Sequence, residues 1–362
     1  MWLLTLRQWV GEGQRKASLD LCAVKLYNAK VLDSLNFLSA PSLPEVLKRI
    51  EESGPTQPAA WPVPRPRLGQ SRNAWLAETA RLRNQHDALI LQMARVVPEA
   101  ANRWGGVRAS AYADIPVDCA WICARVYVPV GEAPFPCVIF FHGGGFWMAG
   151  GAVAFDFNDP LCRKLCNDLA AVVVNVDYRL APEHPYPTQL EDAYSSVCWA
   201  QDSAAEFSID RDRLAVMGIS SGGNIAAAVT RLLRDRHGPA LRAQLLFVPA
   251  LDLTRGARLL FDDAMRFVAD HVCEYYAGPH ADWEAPLLSP AVSPHLEGLP
   301  PAVIVIGELD PLRDGARRYG ERLRAAGGAA EVLEYHMAHG VATPEVTQQW
   351  QDDLVVAARR LL

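Results

Sequence analysis

The first residues able to do chemistry together are Gly218-Ile219-Ser220-Ser221-Gly222-Gly223-Asn224. A serine flanked by glycines two residues to either side is a candidate nucleophile when it tops a sharp strand-to-helix turn. The small neighbours relieve crowding there and leave the hydroxyl projecting. Leu214-Ala-Val-Met precedes the motif as a strand, and Ile225-Ala-Ala-Ala continues it as a helix. The first amides of that helix would face any anion formed on the turn. Ser221 is the rival, but Ile219 rather than glycine stands two residues before it, so Ser220 is preferred.

A hydroxyl needs a base to take its proton and a carboxylate to orient that base. Acyl transfer also needs donors for the developing oxyanion. Upstream, Phe141-His142-Gly143-Gly144-Gly145-Phe146-Trp147 closes another apolar run. Three consecutive glycines let backbone N–H groups enter a cavity without side-chain interference. Neither the Gly-x-Gly-x-x-Gly spacing nor a Walker lysine accompanies them, which argues against a phosphate loop.

These segments must be positioned by a sheet. Candidate strands are Cys137-Val-Ile-Phe-Phe-His, Ala171-Val-Val-Val-Asn-Val-Asp, Leu214-Ala-Val-Met-Gly, Ala243-Gln-Leu-Leu-Phe-Val, Ala302-Val-Ile-Val-Ile-Gly and Glu331-Val-Leu-Glu-Tyr-His. Near-continuous apolar runs of this length suit parallel strands covered on both faces. Helical patterns at about 190–203, 222–236, 314–327 and 344–361 supply the covers. The expected fold is α/β: a mostly parallel central sheet flanked by helices, with a helical cap. Residues 1–53 carry a helical period interrupted at Ser39-Ala-Pro-Ser-Leu-Pro, a proline-rich connector starts at Gly54, and a further helical pattern runs over about 72–97. The expected division is an N-terminal helical extension and cap over 1–106, core over 107–253, a cap insertion over 254–289 and the rest of the core over 290–362. Three roles are open to the first 60 or so residues: an extension of the cap, a docking segment, or self-association into a homo-oligomer.

Five segments in order, His142-Gly-Gly-Gly-Phe, Val176-Asp-Tyr-Arg-Leu-Ala-Pro-Glu-His-Pro-Tyr-Pro187, Gly218-Ile-Ser-Ser-Gly-Gly-Asn224, Asp310-Pro-Leu-Arg-Asp314 and His339-Gly340, give a chain that resembles the hormone-sensitive-lipase family of carboxylesterases over about 107–362. The resemblance implies the α/β-hydrolase fold, an ester substrate and no cofactor. It implies an oxyanion hole built from the N–H groups of Gly144, Gly145 and Ser221, and a structural rather than proton-transferring His142. The Asp177–Pro187 segment reads as a polar network with rigid prolines fixing the loop behind the site. His184 is therefore not the expected base. Ile219 stands where Asp or Thr commonly precedes the family's nucleophile, Ser221 where Ala is usual, and Val341 where Phe commonly follows the His-Gly pair.

In this fold the chain order is serine, acid, histidine. Asp310 ends the strand that begins at Ala302, and His339 follows the last strand; both are expected on the same edge as Ser220. Glu308 and Asp314 are the competing acids; Asp314 reads as a helix cap and Glu308 as a local hydrogen-bonder. His336 reads as a strand-end residue, and His280 and His295 as surface or cap residues. The expected triad is Ser220, Asp310 and His339, with Phe146 and Trp147 lining an acyl or alcohol pocket and favouring short acyl chains. Competing functions on this scaffold are an acyltransferase or lyase and a small-molecule receptor that has lost its histidine. His339 and Ser220 are both retained here.

Bulk composition excludes other classes. Half of the 362 residues are hydrophobic, enough for a large core. A net charge of −6, from 35 basic and 41 acidic residues, leaves no basic stripe for nucleic acid. The eight cysteines have neither disulfide-framework nor metal spacing; Cys119/Cys123 and Cys162/Cys166 lie four apart with no histidine nearby. No metal site is expected. The first ten residues lack a signal-peptide pattern, and no apolar run reaches membrane-span length, so the expected location is the cytoplasm.

Overall fold

The computed structural model describes residues 66–67, 69–96 and 107–362. The helical period expected over 1–53 and nearly all of the proline-rich connector lie outside the described residues, as does any role for the first 60.

Helix α1 covers Arg72–Val96. An antiparallel hairpin follows, β1 Val107–Val117 and β2 Ala120–Pro129, and then β3 Phe135–Phe141. Helices α2 Ala152–Asp156 and α3 Asp159–Leu169 lead to β4 Val172–Val176. Next come α4 Thr188–Asp202, α5 Ala204–Phe207, β5 Ile209–Ile219, α6 Ser221–Asp235 and β6 Ala243–Phe247. Helices α7 Arg255–Arg258 and α8 Asp263–Ala277 interrupt the alternation before β7 Ala302–Gly307. The chain continues through α9 Arg313–Ala325, β8 Ala330–Tyr335 and α10 Pro344–Arg359.

The eight strands form one sheet in the order β1-β2-β4-β3-β5-β6-β7-β8. Strands β4, β3, β5, β6, β7 and β8 run parallel, while β2 is antiparallel to both of its neighbours. This is the mostly parallel, helix-flanked sheet expected from the apolar runs. Every residue of β3, β4, β6 and β7 is buried. Alternation divides the core in two. Cys137, Ile139 and Phe141 of β3 face one side with α4, α6 and α9, whereas Val138 and Phe140 face the other with α3 and α10.

Two features differ from expectation. The β1–β2 hairpin and helices α2 and α3 were not among the expected elements: β1 is an edge strand with mostly exposed residues, so its apolar signal is weak. Asp314 does not cap α9. Leu312 occupies that position, and Asp314 lies inside the first turn, where its charge complements the helix dipole.

Among the described residues no helix is long and apolar enough to cross a membrane, and no group of three or more His, Cys, Asp or Glu side chains is placed to hold a metal ion.

Candidate active site

In a parallel sheet, functional groups gather where the strands end and where neighbouring connections leave in opposite directions. The chain runs from β3 to β4 on one side, then crosses to β5 on the other, so the crevice opens at the carboxyl ends of β3 and β5. The glycine loop follows β3, and Ser220 follows β5.

Ser220 stands at φ 54°, a left-handed backbone that costs a non-glycine residue roughly 1–3 kcal/mol. Backbone hydrogen bonds hold it there. Its N–H donates to Phe247 O at 2.9 Å, and its carbonyl accepts from Asn224 N at 3.1 Å and Ala250 N at 3.0 Å. At about 1 kcal/mol net each, such bonds offset the strain. The Asn224 side chain braces the turn further, donating to Ala250 O at 2.8 Å and Leu288 O at 2.9 Å. Glycine is required beside it: a Cβ on Gly218 would lie 2.0 Å from Gly222 O, and one on Gly222 would lie 2.1 Å from Phe141 O. The serine turn and the end of β3 therefore meet backbone to backbone.

Ser220, His339 and Asp310 are buried together. His339 Nε2 lies 2.9 Å from Ser220 Oγ, and His339 Nδ1 lies 2.8 Å from Asp310 Oδ2. The second carboxylate oxygen of Asp310 accepts from Leu312 N–H at 2.8 Å, so both of its oxygens are engaged. The loops carrying acid and histidine lock to one another: Leu309 N–H donates to Met337 O at 3.1 Å and Glu308 N–H to Tyr335 O at 2.9 Å. Gly307 permits this approach, since a Cβ there would stand 2.3 Å from Met337 O. The competing groups lie elsewhere. Glu308 pairs with His336 at 2.8 Å on the exposed surface, and Asp314 pairs with Arg313 at 2.9 Å. His295 is exposed beside Glu297.

The glycine loop lies against the serine turn. A Cβ on Gly143 would be 3.2 Å from Ile219 O and 3.6 Å from Ser220 Cβ. Gly144 adopts φ 121°, and a Cβ there would overlap Met148 O at 2.2 Å. The next turn is tied to this glycine, with Trp147 N–H and Met148 N–H both donating to Gly144 O at 3.3 and 3.1 Å. Gly145 has φ 61°. Ser221 is the first residue of α6, so its N–H belongs to the unpaired amides of a helix start.

His142 is buried beneath this loop. Its Nδ1 lies 2.7 Å from Gly143 O, and its ring stacks on Tyr178 with centroids 4.2 Å apart. Burial pushes its pKa down, although Asp177 stands 3.9 Å away. Burial likewise pushes the Asp177 carboxyl up. Tyr178 Oη donates to His142 O at 2.8 Å, and the Arg179 guanidinium pairs with buried Asp192 at 2.5 Å. Gln189 ties Arg179 O and His184 O together at 2.9 and 2.6 Å. The Asp177–Pro187 segment is thus the polar network behind the loop that its composition foreshadows.

Phe146 and Trp147 are buried in protein. Phe146 stacks on Tyr276 of α8 at 3.7 Å, and Trp147 meets Tyr275 of α8 and His86 of α1 edge-on at 5.6 and 5.8 Å. Trp75 of α1 contacts Tyr275 in turn at 5.7 Å. Aromatic packing of α1 and α8 on the segment after the glycine loop is what these two rings do here. Among the described residues, burial pushes the thiols of Cys166 and Cys273 up to about 12, away from thiolate reactivity.

Two residues outside every motif belong to this neighbourhood. Arg83 of α1 donates from Nε to Trp147 O, from Nη2 to Ala181 O at 2.9 Å, and bidentately to Glu183 at 3.0 and 2.6 Å. Asp87, one turn on, accepts from Ala149 N–H at 2.9 Å. In sequence they are an ordinary charged pair at i, i+4, and nothing in that spacing distinguishes them from a solvated helix face.

Residues 138–343 match the family model described as alpha/beta hydrolase fold. The chain is 39% identical over 229 residues to the carboxylic ester hydrolase LipN of Mycobacterium tuberculosis, a match spanning 60% of each chain. It is 40% identical over 236 residues to the carboxylesterase NlhH of the same species, covering 63% of this chain and 71% of that one. The matched region is thus less than two thirds of LipN. Among solved structures, the hyperthermophilic esterase of the archaeon Pyrobaculum calidifontis superposes with a TM-score of 0.69 at 30% identity, over 78% of this chain and 93% of that one. These findings agree with the resemblance to hormone-sensitive-lipase carboxylesterases.

Proposed function

Since the chain belongs to the α/β-hydrolase-fold family, we propose that it is a serine carboxylesterase working through an acyl-enzyme. The observation that carries this reading is the buried relay from Ser220 through His339 to Asp310, at 2.9 and 2.8 Å, drawn from three strand ends. With its Nδ1 proton donated to Asp310, His339 offers an Nε2 lone pair to the serine hydroxyl.

Ser220 Oγ attacks the ester carbonyl carbon as its proton passes to His339 Nε2. The carbonyl π electrons move onto oxygen, and the N–H groups of Gly144, Gly145 and Ser221 receive that oxyanion. Each such donor is worth about 3 kcal/mol of barrier. Asp310 stabilises the imidazolium. Collapse breaks the bond to the alkoxy oxygen, which takes the proton from His339 and leaves as the alcohol. Water then repeats the sequence on the acyl-Ser220 ester, with His339 as base, and releases the acid and the free serine.

Helix α1 and the insert over 254–289 act as the cap above this site; their aromatic contacts with Phe146 and Trp147 support that arrangement. Small or medium acyl esters are the expected substrates. The test is turnover of p-nitrophenyl acetate through decanoate. The intact enzyme should cleave the short members fastest, and Ser220→Ala should abolish activity at unchanged melting temperature. Failure of the folded enzyme to cleave any ester would refute the proposal.

A further inference from the structure

Resting on that esterase reading, we infer that Arg83 and Asp87 of α1 are positioning residues that hold the oxyanion loop in its active geometry by gripping the segment Trp147–Ala149. Arg83, His86 and Asp87 share one face of α1 at i, i+3 and i+4, and all three meet this segment. Arg83 Nε holds Trp147 O, and Asp87 Oδ1 holds Ala149 N–H at 2.9 Å.

The grip acts on backbone that does not rest in this shape by itself. Phe146 and Ala149 both stand at φ 67°, in the left-handed region where L side chains are strained. Such residues persist only where their surroundings fix them from several directions. Within the loop the brace is one turn wide: Trp147 and Met148 N–H groups bond to Gly144 O at 3.3 and 3.1 Å, so displacement of Trp147–Ala149 is passed directly to Gly144. The other end of Arg83 is anchored on the polar network by Glu183 and Ala181 O. A fork that reaches two carbonyls and a carboxylate together is a task for guanidinium rather than ammonium.

The experiment compares Asp87→Ala, Asp87→Asn and Arg83→Lys in the full chain. Asp87→Ala should lower kcat about tenfold or more while KM stays within about twofold, because the oxyanion is stabilised in the transition state and not in the bound ester. Inhibition by an aryl trifluoromethyl ketone, whose serine adduct carries that oxyanion, should weaken in parallel. Asp87→Asn keeps an acceptor oxygen for Ala149 N–H and should restore kcat to within about threefold of the parent. Arg83→Lys keeps the charge without the fork and should resemble Asp87→Ala, which provides a second variant should the first fail to fold. Hydrogen exchange of the amides over 144–149 should quicken in Asp87→Ala and Arg83→Lys but not in Asp87→Asn, at matched melting temperatures. Parent-like exchange and kcat in folded Asp87→Ala and Arg83→Lys would overturn the inference, as would equal impairment of Asp87→Asn and Asp87→Ala. Should the parent enzyme cleave no ester, the esterase reading fails and the exchange data alone decide whether the grip exists.

Discussion

The two sides of the site are held by different means. On the acid–base side, Asp310 and His339 sit on loops leaving adjacent parallel strands, and backbone bonds from Glu308 and Leu309 join those loops directly. On the glycine-loop side, the loop after β3 is tied by its own turn and by Tyr178 and Ala181 of the segment behind it, and its outer turn is also held by side chains of α1, a helix that precedes the whole sheet in the chain. In the proposed mechanism, the contrast makes the proton relay a property of the sheet and the oxyanion hole a joint property of the sheet and helix α1. Damage to the first should be local and large. Damage to the second should be graded and should spread from residues far from the chemistry.

The largest expected effect breaks the relay. His339→Ala and Asp310→Asn should each lower kcat by about 10⁴-fold, since the first removes the base and the second leaves the imidazole in the wrong tautomer. Circular dichroism and melting temperature should stay close to the parent, because neither side chain anchors the sheet. A fall of less than about tenfold in Asp310→Asn would move the acid elsewhere, with Glu308 the nearest competitor in sequence.

Gly144→Ala should come next. Its Cβ would lie 2.2 Å from Met148 O at a backbone angle of φ 121°, so the loop must shift. A displaced oxyanion donor costs about 10² to 10³ in kcat, with little change in KM. That split, measured on the best p-nitrophenyl ester, sharpens the comparison, because no residue of the relay is touched. Parent-like kcat would detach Gly144 from the oxyanion hole.

The smallest effect concerns the join between α1 and the loop. Burial lowers the pKa of His86 to about 4 and raises that of Asp87 to about 6. The signs oppose each other. His86 binds its proton more readily in the unfolded chain, so its contribution is full above pH 6.5 and is lost as the pH falls toward 4. Asp87 binds its proton more readily in the folded chain, so acidification through pH 6 toward 3.8 adds stability. Between pH 7 and 5 the first loses about 2 kcal/mol and the second gains about 1 kcal/mol, so the two offset each other only in part. Single substitutions unmask each term. Denaturant midpoints should rise on acidification in His86→Gln and fall more steeply than in the parent in Asp87→Asn. Parallel curves for all three proteins would contradict the burial of this pair.

Much of the fold was legible because parallel strands buried on both faces are written as unbroken apolar runs, as in β3, β4, β6 and β7; these four, with the apolar end of β5 and the more exposed β8, fall within a few residues of their expected places. The β1–β2 hairpin escaped because β1 is an exposed edge strand with little apolar alternation. At the site, Ser220, Asp310 and His339 were legible from chain order, each falling at a strand end, and the structure brings their side chains within hydrogen-bonding distance. Phe146 and Trp147 were legible only as large rings after a glycine loop. Their partners, Tyr275 and Tyr276, lie more than a hundred residues away in an insert with no motif. Arg83 and Asp87 were not legible, because two charges one turn apart on a helix look the same whether they face water or a strained loop.

The most direct test of the relay is covalent labelling with a fluorophosphonate, read by intact mass and peptide mapping. One adduct per chain is predicted, on Ser220, with Ser220→Ala unlabelled and His339→Ala labelled far more slowly. A label that persists in Ser220→Ala, or one that forms at the parent rate in His339→Ala, would contradict the account.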